Sequence, residues 1–174
     1  RAEVKDMLAY LCVLNNPLDD LRLRRIINEP ARKIGATTLE KMAQIAAREG
    51  TWLLDVCRRA DQFPELGRTS APLLKFYQLY LQLKEAADTL PLDEFAAKVM
   101  ELSGYEAMLK AAGDEGAARL ENLGQLISSV KTYADQKGPE ASLEGFLEEV
   151  ALISDLDSYD QDTDVVVMMT MHAA

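Results

Sequence analysis

The sequence predicts an all-α fold: a compact helical domain of about eight or nine helices, followed by one C-terminal strand without a partner. Three observations predict it. Apolar residues recur at three- and four-residue spacing in one segment after another, from residue 2 to about residue 153. Proline, glycine and capping residues fall between those segments and rarely inside them. The exception is Val-Val-Val-Met-Met-Thr-Met at 165–171, a continuous apolar run that reads as a buried strand of a parallel sheet. A strand needs neighbours, and no other stretch offers one, so this run is assigned to a sheet whose remainder lies in a neighbouring domain.

The elements follow in order. Residues 2–14 form a helix with Val4, Met7, Leu8, Leu11 and Leu14 on one face, ended by Asn15-Asn16-Pro17. A second helix covers 18–28, with Asp19 and Asp20 near its positive end and Leu21, Leu23, Ile26 and Ile27 facing inward. Pro30 stops it and Gly35 turns the chain. Thr37 is then the expected N-cap of a third helix, with Glu40 completing a capping box. That helix runs through Arg48, and Gly50 follows. Thr51 caps a short fourth helix to about Arg59, and Trp52 is expected to anchor the core. Residues 64–72 read as a loop. A long helix then spans 73–89, its stripe being Leu73, Phe76, Tyr77, Tyr80, Leu81, Leu83 and Lys84. Pro91 opens the helix 92–102 and Gly104 breaks it. A short helix covers 105–111, a long amphipathic one 117–136, and Ser142 caps a last helix at 143–153. The expected organisation is a flanking first helix at 1–14, a helical domain at 15–154, an acidic connector at 155–164 and the strand at 165–174.

Composition narrows the function classes. The chain has 174 residues, of which 48% are apolar, so a core can be built. No run is long enough to span a bilayer and no signal segment opens the chain. Its first residues look like the inside of a helix, which suggests an excised piece. Cys12 and Cys57 sit in apolar helical patterns and read as small hydrophobes of a reducing compartment. No metal spacing of Cys and His occurs, and the five aspartates of 155–164 lack the glycine and final glutamate of a calcium loop. There is no Gly-rich phosphate loop, no nucleophile elbow and no histidine beside a nucleophile. The net charge of −10 argues against non-specific nucleic-acid binding by the whole surface. Between residues 22 and 33, however, five basic residues meet a single acid.

This basic segment leads into the turn at Gly35. A turn followed by a helix N-terminus presents free N–H groups and the positive end of the helix dipole, which suit one phosphate of a nucleic-acid backbone. A solvated basic face on an ordinary helix–turn–helix is the competing reading.

Six short motifs, in order and spread along the chain, resemble the UvrD/PcrA/Rep-type superfamily 1A DNA helicases. They are the opening Arg-Ala-Glu-Val-Lys-Asp-Met-Leu-Ala-Tyr-Leu at 1–11, Asn-Pro-Leu-Asp-Asp at 16–20, Arg-Ile-Ile-Asn-Glu-Pro at 25–30, Ile-Gly-Ala-Thr-Thr-Leu at 34–39, Arg-Leu-Glu-Asn-Leu at 119–123 and Val-Met-Met-Thr-Met-His-Ala-Ala at 167–174. The last looks like the start of helicase motif V. The resemblance implies domain 2B, the helical insertion within domain 2A, with two short flanks of 2A. The parent would be an ATP-dependent 3′-to-5′ DNA helicase of repair and replication, cytoplasmic, using ATP and magnesium bound by domains other than this one. The fragment alone is expected to carry no cofactor and no ATPase.

In such helicases domain 2B meets the duplex ahead of a single-strand/double-strand junction and swivels to regulate unwinding. Carried over by position, the duplex contact falls on Arg32, Lys33, Ile34, Gly35, Ala36, Thr37 and Thr38. Lys33 departs from the family pattern, which has glycine there. Thr170 and His172 match motif V positions that meet single-stranded DNA in the full enzyme. Protein partners on the 2B surface are also implied, and a pure protein-interaction module without DNA contact is the rival reading. The basic segment discriminates: cations shared on one face with the Gly35 turn favour DNA, whereas cations paired with acids across the domain favour the rival.

Overall fold

The computed structural model describes residues 1–154. All regular structure in that range is helical: α1 (Ala2–Asn15), α2 (Asp20–Ile26), α3 (Ala36–Glu49), α4 (Leu53–Arg58), α5 (Ser70–Thr89), α6 (Leu92–Leu102), α7 (Tyr105–Lys110), α8 (Gly113–Lys137) and α9 (residues 143–154), with short 3-10 turns at 60–62, 64–69 and 138–140. The strand expected at 165–171, Thr170, His172 and the acidic connector lie outside the described residues. Among the described residues, no helix is long and apolar enough to cross a membrane, and no cluster of His, Cys, Asp and Glu is suited to a metal ion.

α1 is the centre of the body. Met7, Tyr10, Leu11, Val13 and Leu14 are almost fully buried, and the helix packs against α2, α5, α6 and α8. A helix apolar nearly all round belongs in a core. Its C-terminal end is tied by Lys84, whose Nζ donates to the Leu14 carbonyl at 3.2 Å. A second layer, α3, α4 and the start of α5, closes over Met42, Ile45, Leu53, Val56 and Leu73.

Several boundaries differ from the sequence expectation. α2 is shorter than 18–28 because the side chain of Asn28 turns inward to accept from the Arg32 and Ile34 N–H groups at 2.6 and 3.2 Å. Leu21, expected in the core, is 70% exposed, while Leu23, Ile26 and Ile27 are buried as expected. Asp19 is the N-cap of α2, accepting from the Arg22 N–H at 3.2 Å. Asp20 reaches across to α4 and accepts from the Leu53 N–H at 3.0 Å. That borrowed cap explains why Thr51 is not the N-cap of α4: the position belongs to Trp52, and the Thr51 hydroxyl donates instead to Asp55 Oδ2 at 2.7 Å. In an extended conformation at the cap, Trp52 lies outside the helical stripe and is 37% exposed, not a core anchor. The expected loop at 64–72 is a 3-10 turn, after which α5 begins at Ser70 with Pro72 in its first turn.

α6 and the Ser142 cap of α9 match the sequence reading; Ser142 Oγ accepts from the Gly145 N–H at 3.0 Å. α8 starts four residues early, through Gly116. A Cβ there would stand 1.8 Å from the Leu109 carbonyl oxygen, so only glycine lets α8 pass the end of α7 this closely. Cys57 is fully buried, and burial pushes its thiol up to about 12. Cys12 is half-buried, its thiol also raised by burial, and both cysteines are free thiols.

Candidate nucleic-acid interface

The turn between α2 and α3 is built from beneath. Arg32 does most of the building. Its Nη1 donates to the Ile26 and Ile27 carbonyls at 2.8 and 3.1 Å, at the negative end of α2. Its Nη2 donates to the Tyr10 hydroxyl and to the Ser103 carbonyl, the latter at 2.9 Å. The guanidinium also lies over the rings of Tyr10 and Phe76, 5.8 and 5.3 Å from their centroids. Tyr10 in turn donates to the Glu29 carbonyl at 2.7 Å. Burial pushes the Tyr10 phenol up, and the neighbouring Arg32 charge only partly opposes that. Arg32 thus spends its Nη1 and Nη2 donors inside the protein and positions the turn. The Glu29–Pro30 peptide is cis.

Above this base the turn is open. Lys33 is exposed and holds φ +63°, the left-handed region that favours glycine. Ile34 is fully buried and pins the turn to the core. Gly35, Ala36 and Thr37 are exposed, whereas Thr38 is buried. The N-cap of α3 is Gly35, in an extended conformation, and no side chain bonds to the first-turn amides. The capping box expected from Thr37 and Glu40 does not form, because the helix begins at Ala36 and places Thr37 inside its first turn. The result is a set of uncapped N–H groups at a helix N-terminus, with one ammonium beside them. A Cβ on Gly35 would meet nothing within 4 Å.

The rest of the basic segment divides. Arg22 pairs with Asp19 at 3.7 Å within its own helix. Arg25 pairs with Asp6 across to α1 at 2.7 Å. Arg24 and Lys33 are exposed and make no ion pair among the described residues. Among the described residues the segment therefore offers two unpaired cations outside the fold, not five.

Other motif residues converge elsewhere, in a polar knot between α1, α2, α7 and α8. Asp6 accepts from Arg25 Nε and from the Tyr105 hydroxyl, both at 2.7 Å. Arg119 Nη2 donates to the Tyr105 hydroxyl at 3.3 Å and its Nε lies 3.8 Å from Glu3. Asn122 Nδ2 donates to Glu3 at 3.4 Å. Burial alone would raise the Glu3 carboxyl; its own backbone N–H, Asn122 and Arg119 overcome that and hold it below the usual carboxylate value. Burial raises the Tyr105 phenol, helped by the Asp6 carboxylate. Tyr105 and Ser103 were not among the sequence candidates. Their partners stand 99 and 71 residues away, and no spacing signal reaches that far.

Compared with known proteins, residues 1–174 match the model of the UvrD-like helicase C-terminal domain. The chain is 36% identical over 181 residues to the ATP-dependent DNA helicase PcrA of Bacillus subtilis, covering 100% of this chain and 24% of that protein. It is 34% identical over 176 residues to the PcrA helicase of Staphylococcus aureus and 32% over 181 residues to that of Leuconostoc citreum, each again covering 100% of this chain and 24% of the relative. The chain thus spans about a quarter of the length of these relatives.

Proposed function

We propose that this chain, which belongs to the UvrD-like helicase C-terminal domain family, is the 2B domain of a PcrA-like ATP-dependent DNA helicase and meets the duplex backbone through the turn before α3. One observation carries this reading: the open first turn of α3, with exposed Gly35, Ala36 and Thr37, uncapped amides and Lys33 at its edge. The backbone N–H groups of Ala36 and Thr37 take a phosphate oxygen. Lys33 supplies the charge. Gly35 keeps the approach clear, and Ile34, Thr38 and Arg32 hold the turn in shape. In the parent protein, ATP and magnesium bind in other domains, Thr170 and His172 face single-stranded DNA, and rotation of this domain on its neighbours regulates unwinding in the cytoplasm. The rival, a protein-interaction module without DNA contact, draws its support from the Arg25–Asp6 pair, which turns one cation of the basic segment inward.

Anisotropy of a labelled short duplex, titrated with the chain across a salt series, tests the reading. Gly35→Val and Lys33→Ala are compared with the wild type, since neither replaces a buried side chain. The reading predicts salt-sensitive binding that both variants weaken about tenfold, as loss of one charge-assisted phosphate contact does. Binding indifferent to both changes, or no binding at low salt, supports the rival.

A further inference from the structure

Beside the turn lies a groove of about 690 Å³ that shares Arg32 and Lys33 with the duplex reading and is otherwise unused by it. One wall is Ala31, Arg32 and Lys33, another is the first half of α5, and the third is the α6–α7 junction at Leu102 and Ser103. Its floor is apolar, with Phe76 buried, Leu79 half-buried and Leu102 38% exposed. Three cations line it, Arg32, Lys33 and Lys75, and none of its described lining side chains is a carboxylate. In a chain of net charge −10 such a stretch is selective for acidic partners. Gln78 and Gln82 stand exposed one and two turns along α5 from Lys75 and offer amide donors and acceptors.

This chemistry fits a peptide better than a nucleic-acid strand. The one ring in the groove, Phe76, is buried and lies under the Arg32 guanidinium, so no aromatic face is open for a base to stack on, and a duplex is too broad to enter a cleft of this volume. A peptide segment with one or two large apolar side chains fills such a floor while its carboxylates meet ammonium groups at the rim. Arg32 gives the groove charge more than donors, since its Nη1 and Nη2 hydrogens are taken inside the protein.

We propose that the groove between α5 and the α6–α7 junction docks an acidic peptide segment of a partner protein, anchored by an apolar side chain against Leu79 and Leu102 and clamped by Lys33 and Lys75. This goes beyond the duplex contact and does not depend on it. The two surfaces share Lys33.

The test is an anisotropy titration of the 174-residue chain against a fluorescein-labelled peptide carrying one leucine and one phenylalanine among aspartates and glutamates. The same peptide with its acids replaced by lysines, and a labelled short duplex, run beside it. Lys75→Glu and Leu102→Gln are the variants, and their melting curves are compared with the wild type to confirm folding. The proposal predicts saturable micromolar binding of the acidic peptide and none of its lysine counterpart, weakened at least tenfold by Lys75→Glu and several-fold by Leu102→Gln, while duplex binding is indifferent to Leu102→Gln. Absence of saturable peptide binding overturns it, as does peptide binding that neither variant changes. Duplex binding that Lys75→Glu and Leu102→Gln weaken as much as the peptide also overturns it, since the groove would then belong to nucleic acid. Failure of the duplex reading looks different: Lys33→Ala and Gly35→Val leave duplex binding unchanged, whatever the peptide does.

Discussion

The polar knot between α1, α2, α7 and α8 and the turn before α3 are built from the same kind of material, short polar motifs, yet they end in opposite states. In the knot every charged group is answered: Glu3 and Asp6 are 4% and 6% exposed, and Arg25, Tyr105, Arg119 and Asn122 all point at them. Among the described residues, no buried side-chain polar atom is left without a partner. At the turn the lower half is satisfied in the same way, by Arg32 and Asn28, while the upper half leaves amides and an ammonium open to solvent. A closed network holds the fold and has nothing left for a ligand. An open one has donors to give.

The comparison predicts which substitutions damage stability and which damage binding. The largest effect is expected in the knot. Asp6→Ala leaves the buried Tyr105 hydroxyl without its acceptor and releases the half-exposed Arg25 to solvent, and loss of these two hydrogen bonds to a carboxylate costs about 3 kcal/mol. Urea unfolding should show a lower midpoint with an unchanged slope. Arg32→Ala comes next, at about 2 kcal/mol from its lost hydrogen bonds to buried carbonyls. Unlike Asp6→Ala, it should also weaken duplex binding, because the turn above it loses its base.

A smaller effect is set by pH, with opposite signs on the two sides of neutrality. The Glu3 carboxyl is held below its ordinary 4.5 in the folded state, so its contribution is present above 4.5 and lost as pH falls through the folded value. The Tyr10 and Tyr105 phenols are raised above their ordinary 10.0, so their contribution is full below pH 10.0 and lost as pH rises through the folded values. Thermal melts across pH should show a plateau bounded by both losses, and Glu3→Gln should make the acid side shallower, where Asp55 also contributes, and leave the alkaline side unchanged. The smallest effect belongs to Lys33→Gly. It relieves the left-handed backbone but frees the unfolded chain, so stability should change by less than about 1 kcal/mol while duplex binding still weakens from the lost charge.

Local signals made much of the fold legible. Pro91 and the acidic first turn placed α6, and Ser142 placed the start of α9, because a cap acts on amides two or three residues away. The errors share a cause. The sequence points to Thr37 and Thr51 as caps, whereas Gly35 takes that position for α3 and Asp20, from another helix, caps α4. Trp52, a lone aromatic, and Leu21, one of the apolar residues of 18–28, read as core residues, yet Trp52 stands at a cap and Leu21 on a short helix whose buried face is set by Leu23 and Ile26. In the candidate site, the position of the turn was legible from Pro30 and Gly35. The division of labour within it was not. Arg32 and Lys33 are neighbours in sequence and look alike, yet one is consumed by carbonyls of Ile26, Ile27 and Ser103 and the other is free. Only the packing of α1 and of the C-terminal end of α6 around the turn decides that.

Amide chemical shifts of the nitrogen-15-labelled chain, followed as a short unlabelled duplex is added at low salt, test the central claim most directly. The account predicts that the amides of Lys33, Gly35, Ala36 and Thr37 move first and furthest, while those of Asp6, Tyr105 and Arg119 in the knot stay still. Shifts centred on another face, or no shifts at saturating duplex, would contradict it.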